Sequence, residues 1–271
     1  MKVSIKLVLI YFVMQILGAL TAGPVTMLFV YVIDGELDVA EAQRLALAPT
    51  MLFGFFYMGW YLWRKGYLED DGARYGFPSL GFMGWTVLAG ASAIVLLSGL
   101  NAVLTFLPDL MEQTFDVLQS GMTGVACIAL LGPVLEEMLF RGAVTEELLR
   151  RYRPATAIVL SGLLFGLFHI NPAQVVSACF MGFLLAWLYW RTRSLIPCIL
   201  VHVLNNSLSV VLGLCCPQVE ELTDVPGMSG GVLAVVLVAA AALLAVSLWR
   251  MGRVPAVGTG RSTLEHNQEQ L

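Results

Sequence analysis

Charged residues are scarce in this chain. Asp, Glu, Lys and Arg make up 13% of its 271 residues, where a soluble domain carries about 25%. With 58% of positions hydrophobic, that scarcity excludes an ordinary water-soluble domain and points to an integral membrane protein. Cysteine is sparse as well. Cys127, Cys179 and Cys198 sit in apolar runs, where a thiol behaves as a small core residue. Cys215 and Cys216 are adjacent and lack the CxxC spacing of zinc or redox sites. Basic residues form no patch interleaved with aromatics, which excludes nucleic acid as a partner. There is no HExxH and no serine in a GxSxG setting, so two common hydrolase signatures are missing. Neither a repeat period nor the inverted halves of a transporter can be found. Histidine is limited to His169, His202 and His266.

What the chain does have is apolar runs. A helix needs about 20 apolar residues to cross a bilayer. Eight stretches qualify, at about 7–33, 45–63, 79–106, 119–140, 155–172, 175–190, 195–214 and 228–249. The first is about 40 Å long at 1.5 Å per residue, so a tilt or a kink is expected, with Gly23-Pro24 as the kink site. Lys2 and Lys6 before an apolar run and GALTAG also fit a cleaved signal peptide. The run continues to Ile33, which favours a retained span.

The loops sort by charge. With the N-terminus in the cytoplasm, one side collects Lys2, Lys6, Arg64, Lys65, Arg74, Arg141, Arg150, Arg151, Arg153, Arg191, Arg193, Arg250, Arg253 and Arg261. The other side collects only Arg44, together with loop acids such as Asp34, Glu36, Asp38, Asp109, Asp116, Glu220 and Glu221. This is a positive-inside pattern, and an odd number of spans would spoil it. The expected fold is therefore all-α: a polytopic membrane helical bundle of about eight transmembrane helices, both termini cytoplasmic. Its expected divisions are residues 1–118, helices 1–3 with their loops; 119–214, a four-helix core; 215–250, a C-terminal span; and 251–271, a polar, disordered tail. Segments 67–78 and 108–119 read as loops or short interfacial helices.

Ionisable residues inside spans are functional candidates by default. Here they are Glu136, Glu137, Arg141, His169 and His202. Glu137 and Arg141 are four residues apart, one above the other on a helix, and form a natural ion pair. Glu136 is turned about 100° away and is left without that partner. A carboxylate in a dry site, not fully neutralised, can act as a proton acceptor. His202 and Asn206 share a helix face, as do Phe165 and His169. The serines Ser161, Ser177 and Ser207 read as helix-packing residues, and Asn171-Pro172 as the end of a span. A Glu–His–His–Asn set suits activation of water. Glu136 takes the proton, His169 orients the water or binds a metal, and His202 and Asn206 donate to a developing oxyanion. The same set, as Glu136, His169 and His202, is also enough for one divalent metal, zinc above all, with an open position. Both a metal-free and a metal mechanism remain open.

Three spaced motifs carry a resemblance: Glu136-Glu137-Met-Leu-Phe-Arg141, Phe165-Gly-Leu-Phe-His169 and His202-Val-Leu-Asn-Asn206. In this order, each on a membrane span, they resemble the EExxxR, FxxxH and HxxxN motifs of the CPBP family of intramembrane proteases. That family includes the type II CAAX prenyl endopeptidases and the Abi and bacteriocin-immunity proteins. The resemblance covers about residues 120–210. It implies an intramembrane endopeptidase that acts on a membrane-associated or lipidated peptide, in lipid, in a bacterial inner membrane. Glu136 and His169 would activate water, His202 and Asn206 would stabilise the oxyanion, and Glu137, Arg141 and Phe165 would support them. A non-catalytic scaffold or immunity-type protein on the same bundle is the alternative. The positive-inside count places Arg141 near the cytoplasmic edge, while His169 follows Arg153 by a run of about 24 Å. The depths agree if the fourth helix continues through GAVTEELLRRY, with Glu146–Arg150 and Glu147–Arg151 at helical spacing.

Overall fold

The computed structural model describes residues 1–36, 38–70, 72–219 and 222–254. Glu220, Glu221, Arg261, His266 and the polar tail from residue 255 lie outside the described residues. Every regular element among the described residues is helical. In chain order these are α1 (Lys2–Asp34), α2 (Val39–Arg64), α3 (Leu80–Asn101) and α4 (Glu112–Gln119). A continuous helical run, Met122–Leu149, follows. It consists of α5 (Met122–Ala126), a π-turn (Cys127–Leu131), α6 (Gly132–Leu139), a second π-turn (Phe140–Thr145) and α7 (Glu146–Leu149). Then come α8 (Pro154–Phe168), α9 (Pro172–Thr192), α10 (Ile196–Cys215) and, after a short 3₁₀ turn, α11 (Gly230–Gly252).

Local chemistry marks the ends. Asp38 and Ser79 cap α2 and α3, their side chains accepting from Glu41 N at 3.0 Å and Phe82 N at 3.3 Å. Proline opens α8, α9 and α10, where its missing N–H costs nothing. α1 runs through Pro24 as one helix, and Gly35 closes it in the left-handed conformation.

Seven helical segments among the described residues are long and apolar enough to cross a membrane. The sequence reading of eight full spans needs one correction, at α8. That helix has 15 residues, about 22 Å, against a hydrocarbon core of about 30 Å. Pro154 starts it late, and a tight turn at 169–171 ends it early. The fourth helix does continue past Arg141, as the depth argument requires, and it carries the Glu146–Arg150 and Glu147–Arg151 pairs. The expected interfacial helix within 108–119 is α4.

α1 packs on α2, α8 on α9, and α3 on α11. One core cluster joins α1, α2, the helical run and α8; another joins α3, α9, α10 and α11. Large apolar side chains cover the outside, among them Leu9, Leu20, Val32, Trp60 and Val235, as a lipid-facing surface requires. Association in lipid relies on small residues that let backbones approach. A Cβ on Gly182 would lie 2.8 Å from Gly162 Cα, and one on Gly166 would lie 2.2 Å from Cys179 Sγ. These contacts clamp α8 to α9 just below His169.

Candidate active site

The first π-turn begins the site. Gly132 N–H reaches back five residues to Cys127 O instead of four to Ile128 O. Pro133 has no N–H to offer either Ile128 or Ala129. Two carbonyls are thus released from the helix, and α10 takes both. Asn206 Nδ2 donates to Ile128 O at 3.0 Å, and Ser207 Oγ donates to Ala129 O at 3.4 Å. Such wide turns recur at functional sites. The second π-turn releases Gly142 O, which accepts from Arg74 Nη1 at 2.8 Å. Arg74 also binds Tyr67 O at 2.6 Å and pins the 67–78 segment to the helical run.

Between the two wide turns, the adjacent glutamates face different surroundings. Glu137 and Arg141 are completely buried. Arg141 Nη1 donates to Glu137 Oε1 at 2.8 Å, and Nη2 donates to Gly182 O at 3.2 Å. The Arg141 guanidinium also lies 4.4 Å from the Phe165 ring centre, a cation–π contact. His202, nearly buried, places Nδ1 2.7 Å from the same Glu137 Oε1. A carboxylate ionised by its arginine only accepts, so Nδ1 carries the hydrogen. His202 Nε2 then turns to Glu136, whose Oε2 is 3.8 Å away. That Oε2 is buried and has no hydrogen-bond partner among the described residues. Glu137 Oε2 is likewise buried without a hydrogen-bond partner among the described residues, but its Oε1 is held by both Arg141 and His202.

His169 ends α8. Its Nδ1 lies 2.8 Å from Phe165 O, which leaves Nε2 for the site. Glu136, His202 and Arg141 all act on His169 electrostatically. Phe165 is buried and touches both imidazoles edge-on, at 4.9 Å from His169 and 5.5 Å from His202. The aromatic of the FxxxH motif thus spaces the two rings while supporting Arg141. Asn206 is more committed than the sequence reading supposed. One amide hydrogen is spent on Ile128 O, and Oδ1 accepts from Asn205 Nδ2 at 3.1 Å.

Among the described residues, no three His, Cys, Asp or Glu side chains converge as a metal-binding group. Glu136, His169 and His202 therefore do not fit a three-ligand zinc centre.

Two contributors lie outside the motifs. Tyr11 of α1 packs edge-on against Phe168 at 4.7 Å, next to His169. A lone tyrosine in an apolar run carries no signal of this. Asn171 is buried and bonded across the chain to Asp109 and Leu110, although Asn-Pro reads only as a helix end.

Residues 118–208 match the family model of type II CAAX prenyl endopeptidase Rce1-like proteins. All three motifs fall within this segment, while α1–α3 and α11 lie outside it. Over 103 residues, 38% of this chain, it is 29% identical to the putative membrane peptidase YdiL of Bacillus subtilis. That match spans 42% of the YdiL length. No solved structure matches the chain. Matched segment, motif order and one shared polar centre agree, and over residues 118–208 the chain is similar to the type II CAAX prenyl endopeptidase Rce1-like family.

Proposed function

We propose that this chain is an intramembrane endopeptidase that hydrolyses a peptide bond in a membrane-associated or lipidated protein. One observation carries the reading. The two neighbouring glutamates differ in their partners: Glu137 Oε1 takes both Arg141 and His202, while Glu136, in no ion pair with an arginine among the described residues, keeps a buried oxygen without a hydrogen bond 3.8 Å from His202 Nε2. An unpaired buried acceptor is costly, and of the two acids Glu136 is the one that no guanidinium neutralises among the described residues.

The mechanism follows from these groups. A water held by Glu136 and His169 Nε2 loses its proton to Glu136 and attacks the scissile carbonyl. The oxyanion is met by His202 and by the second amide hydrogen of Asn206. Glu137 accepts Nδ1–H of His202 and holds the ring with Nε2 toward the site, the relation of acid to histidine in a catalytic triad; Nε2 donates to the oxyanion after taking a proton from solvent water that enters the site. Glu136 finally returns its proton to the leaving amine. The bilayer is the environment, and the substrate arrives through it or along its surface.

The test is terminus-enriched mass spectrometry on membranes from cells that express wild type or Glu136→Ala. New peptide termini that appear only with wild type establish proteolysis and identify the substrate. Identical termini, with the variant still rescuing a deletion phenotype, would replace this reading with the scaffold.

A further inference from the structure

The backbone immediately after His169 is strained. Ile170 has φ 59°, a conformation that is an outlier for a β-branched residue. Asn171 N–H bonds back to His169 O at 2.6 Å, so residues 169–171 form a γ-turn of the rare, strained hand. Strain of this kind persists only where the surroundings over-determine it, and it gathers at active sites.

Asn171 supplies the restraint. It is buried, although Ile170 beside it is 64% exposed. Its Nδ2 donates to Asp109 Oδ1 at 2.9 Å, and its Oδ1 accepts from Leu110 N at 2.9 Å. Its own carbonyl accepts from Gln174 N and Val175 N, which starts α9. Asp109 is held in turn by Met111 N at 2.8 Å. The α3–α4 segment, more than 60 residues away in sequence, is thereby latched onto the α8–α9 turn. A charge-assisted bond to a carboxylate is among the stronger kinds.

We propose that Asn171 is a positioning residue for His169: its two-sided amide latch onto Asp109 and Leu110 holds Ile170 in the left-handed turn and so fixes the imidazole against Phe165 O. Without the latch, Ile170 relaxes to the right-handed region. The His169 backbone shifts with it, and the Nδ1–Phe165 bond that aims Nε2 is lost. The proposal rests on the peptidase reading for its effect on rate, but not for its effect on His169.

The test uses the full chain in lipid nanodiscs with ring-labelled histidine. The chain has three histidines, so the His169 resonance is assignable by single substitution. Asn171→Asp sets two carboxylates against each other; adding Asp109→Asn rebuilds the latch with reversed polarity. The expected result is a displaced His169 resonance in Asn171→Asp, restored in the double variant. Cleavage at the Glu136-dependent terminus should fall about a hundredfold in the single variant, the scale of a misplacement of about 1 Å, with KM little changed, and should return in the double. An unmoved His169 resonance in Asn171→Asp, or one the double variant does not restore, overturns the proposal. If the resonances behave as expected while wild-type and Glu136→Ala membranes show the same termini, the peptidase reading fails instead. Should Asn171→Asp not insert, Asn171→Ala with and without Ile170→Gly decides. Glycine adopts the turn freely, so the added Ile170→Gly should move the resonance back toward wild type, and no such movement overturns the latch.

Discussion

At the scale of single residues, the two glutamates should separate cleanly by experiment. Glu136→Ala removes the base and leaves no charge stranded. Cleavage should fall by about 10²–10⁴, with thermal unfolding in detergent near wild type. Arg141→Ala does the opposite kind of damage. It leaves Glu137 as an uncompensated buried charge and should cost about 3–5 kcal/mol of stability, read as a large drop in midpoint along with lost activity. Equal unfolding midpoints for the two variants would contradict this division of roles. Two of the contacts were legible in the sequence, because i,i+4 spacing makes Glu137–Arg141 and Phe165–His169 meet whatever the rest of the chain does. The tie from Glu137 to His202 was not, since it joins residues 65 apart. Nor was Asn171, whose partner lies 62 residues away and whose following proline suggests a simple helix end. Asn206 shows the same limit: a free amide on paper, it is half occupied by a carbonyl that only a π-turn exposes.

Helices are the next scale. Pro133 keeps the first π-turn open by withholding an N–H. Pro133→Ala supplies one, so Ala129 O can be reclaimed by the helix and Ser207 released. As the turn tightens, Gly132 N–H competes with Asn206 for Ile128 O. Cleavage should drop about tenfold, the rate equivalent of about 1.4 kcal/mol and the size of one hydrogen bond, while the chain still inserts. An unchanged rate would remove the π-turn from the mechanism. Gly166→Ala tests the α8–α9 clamp. Its Cβ would meet Cys179 Sγ at 2.2 Å and Val175 O at 2.6 Å, and overpacking costs about 1–3 kcal/mol. Both the unfolding midpoint and the cleavage rate should fall, and Cys179→Ala should recover part of each, because a side chain yields where backbone cannot. The apolar runs announced the long helices, and proline and capping residues announced many ends. The wide turns were hidden, since Gly132-Pro133 marks a break without saying which register the helix resumes in.

For the whole molecule, the charge bias along the loops predicts which side of the membrane each loop faces. α10 starts beside Arg193 and ends at Cys215, which is exposed, whereas Cys127 and Cys198 are buried. With both termini cytoplasmic, a membrane-impermeant thiol reagent should label Cys215 on intact cells. Labelling only after permeabilisation would invert the topology. The length of α8 has its own consequence. Six long helices and the broken helical run demand a full bilayer, while α8, at about 22 Å, falls short of one and carries His169 at its tip. Lipid beside it must thin, or headgroups and water must dip toward the imidazole. The membrane then supplies reactant as well as solvent, and acyl-chain length becomes a control on rate. Reconstituted in bilayers of increasing thickness, the chain should cleave more slowly as its fold stays intact, because each added layer of hydrocarbon moves water farther from the residue that must hold it.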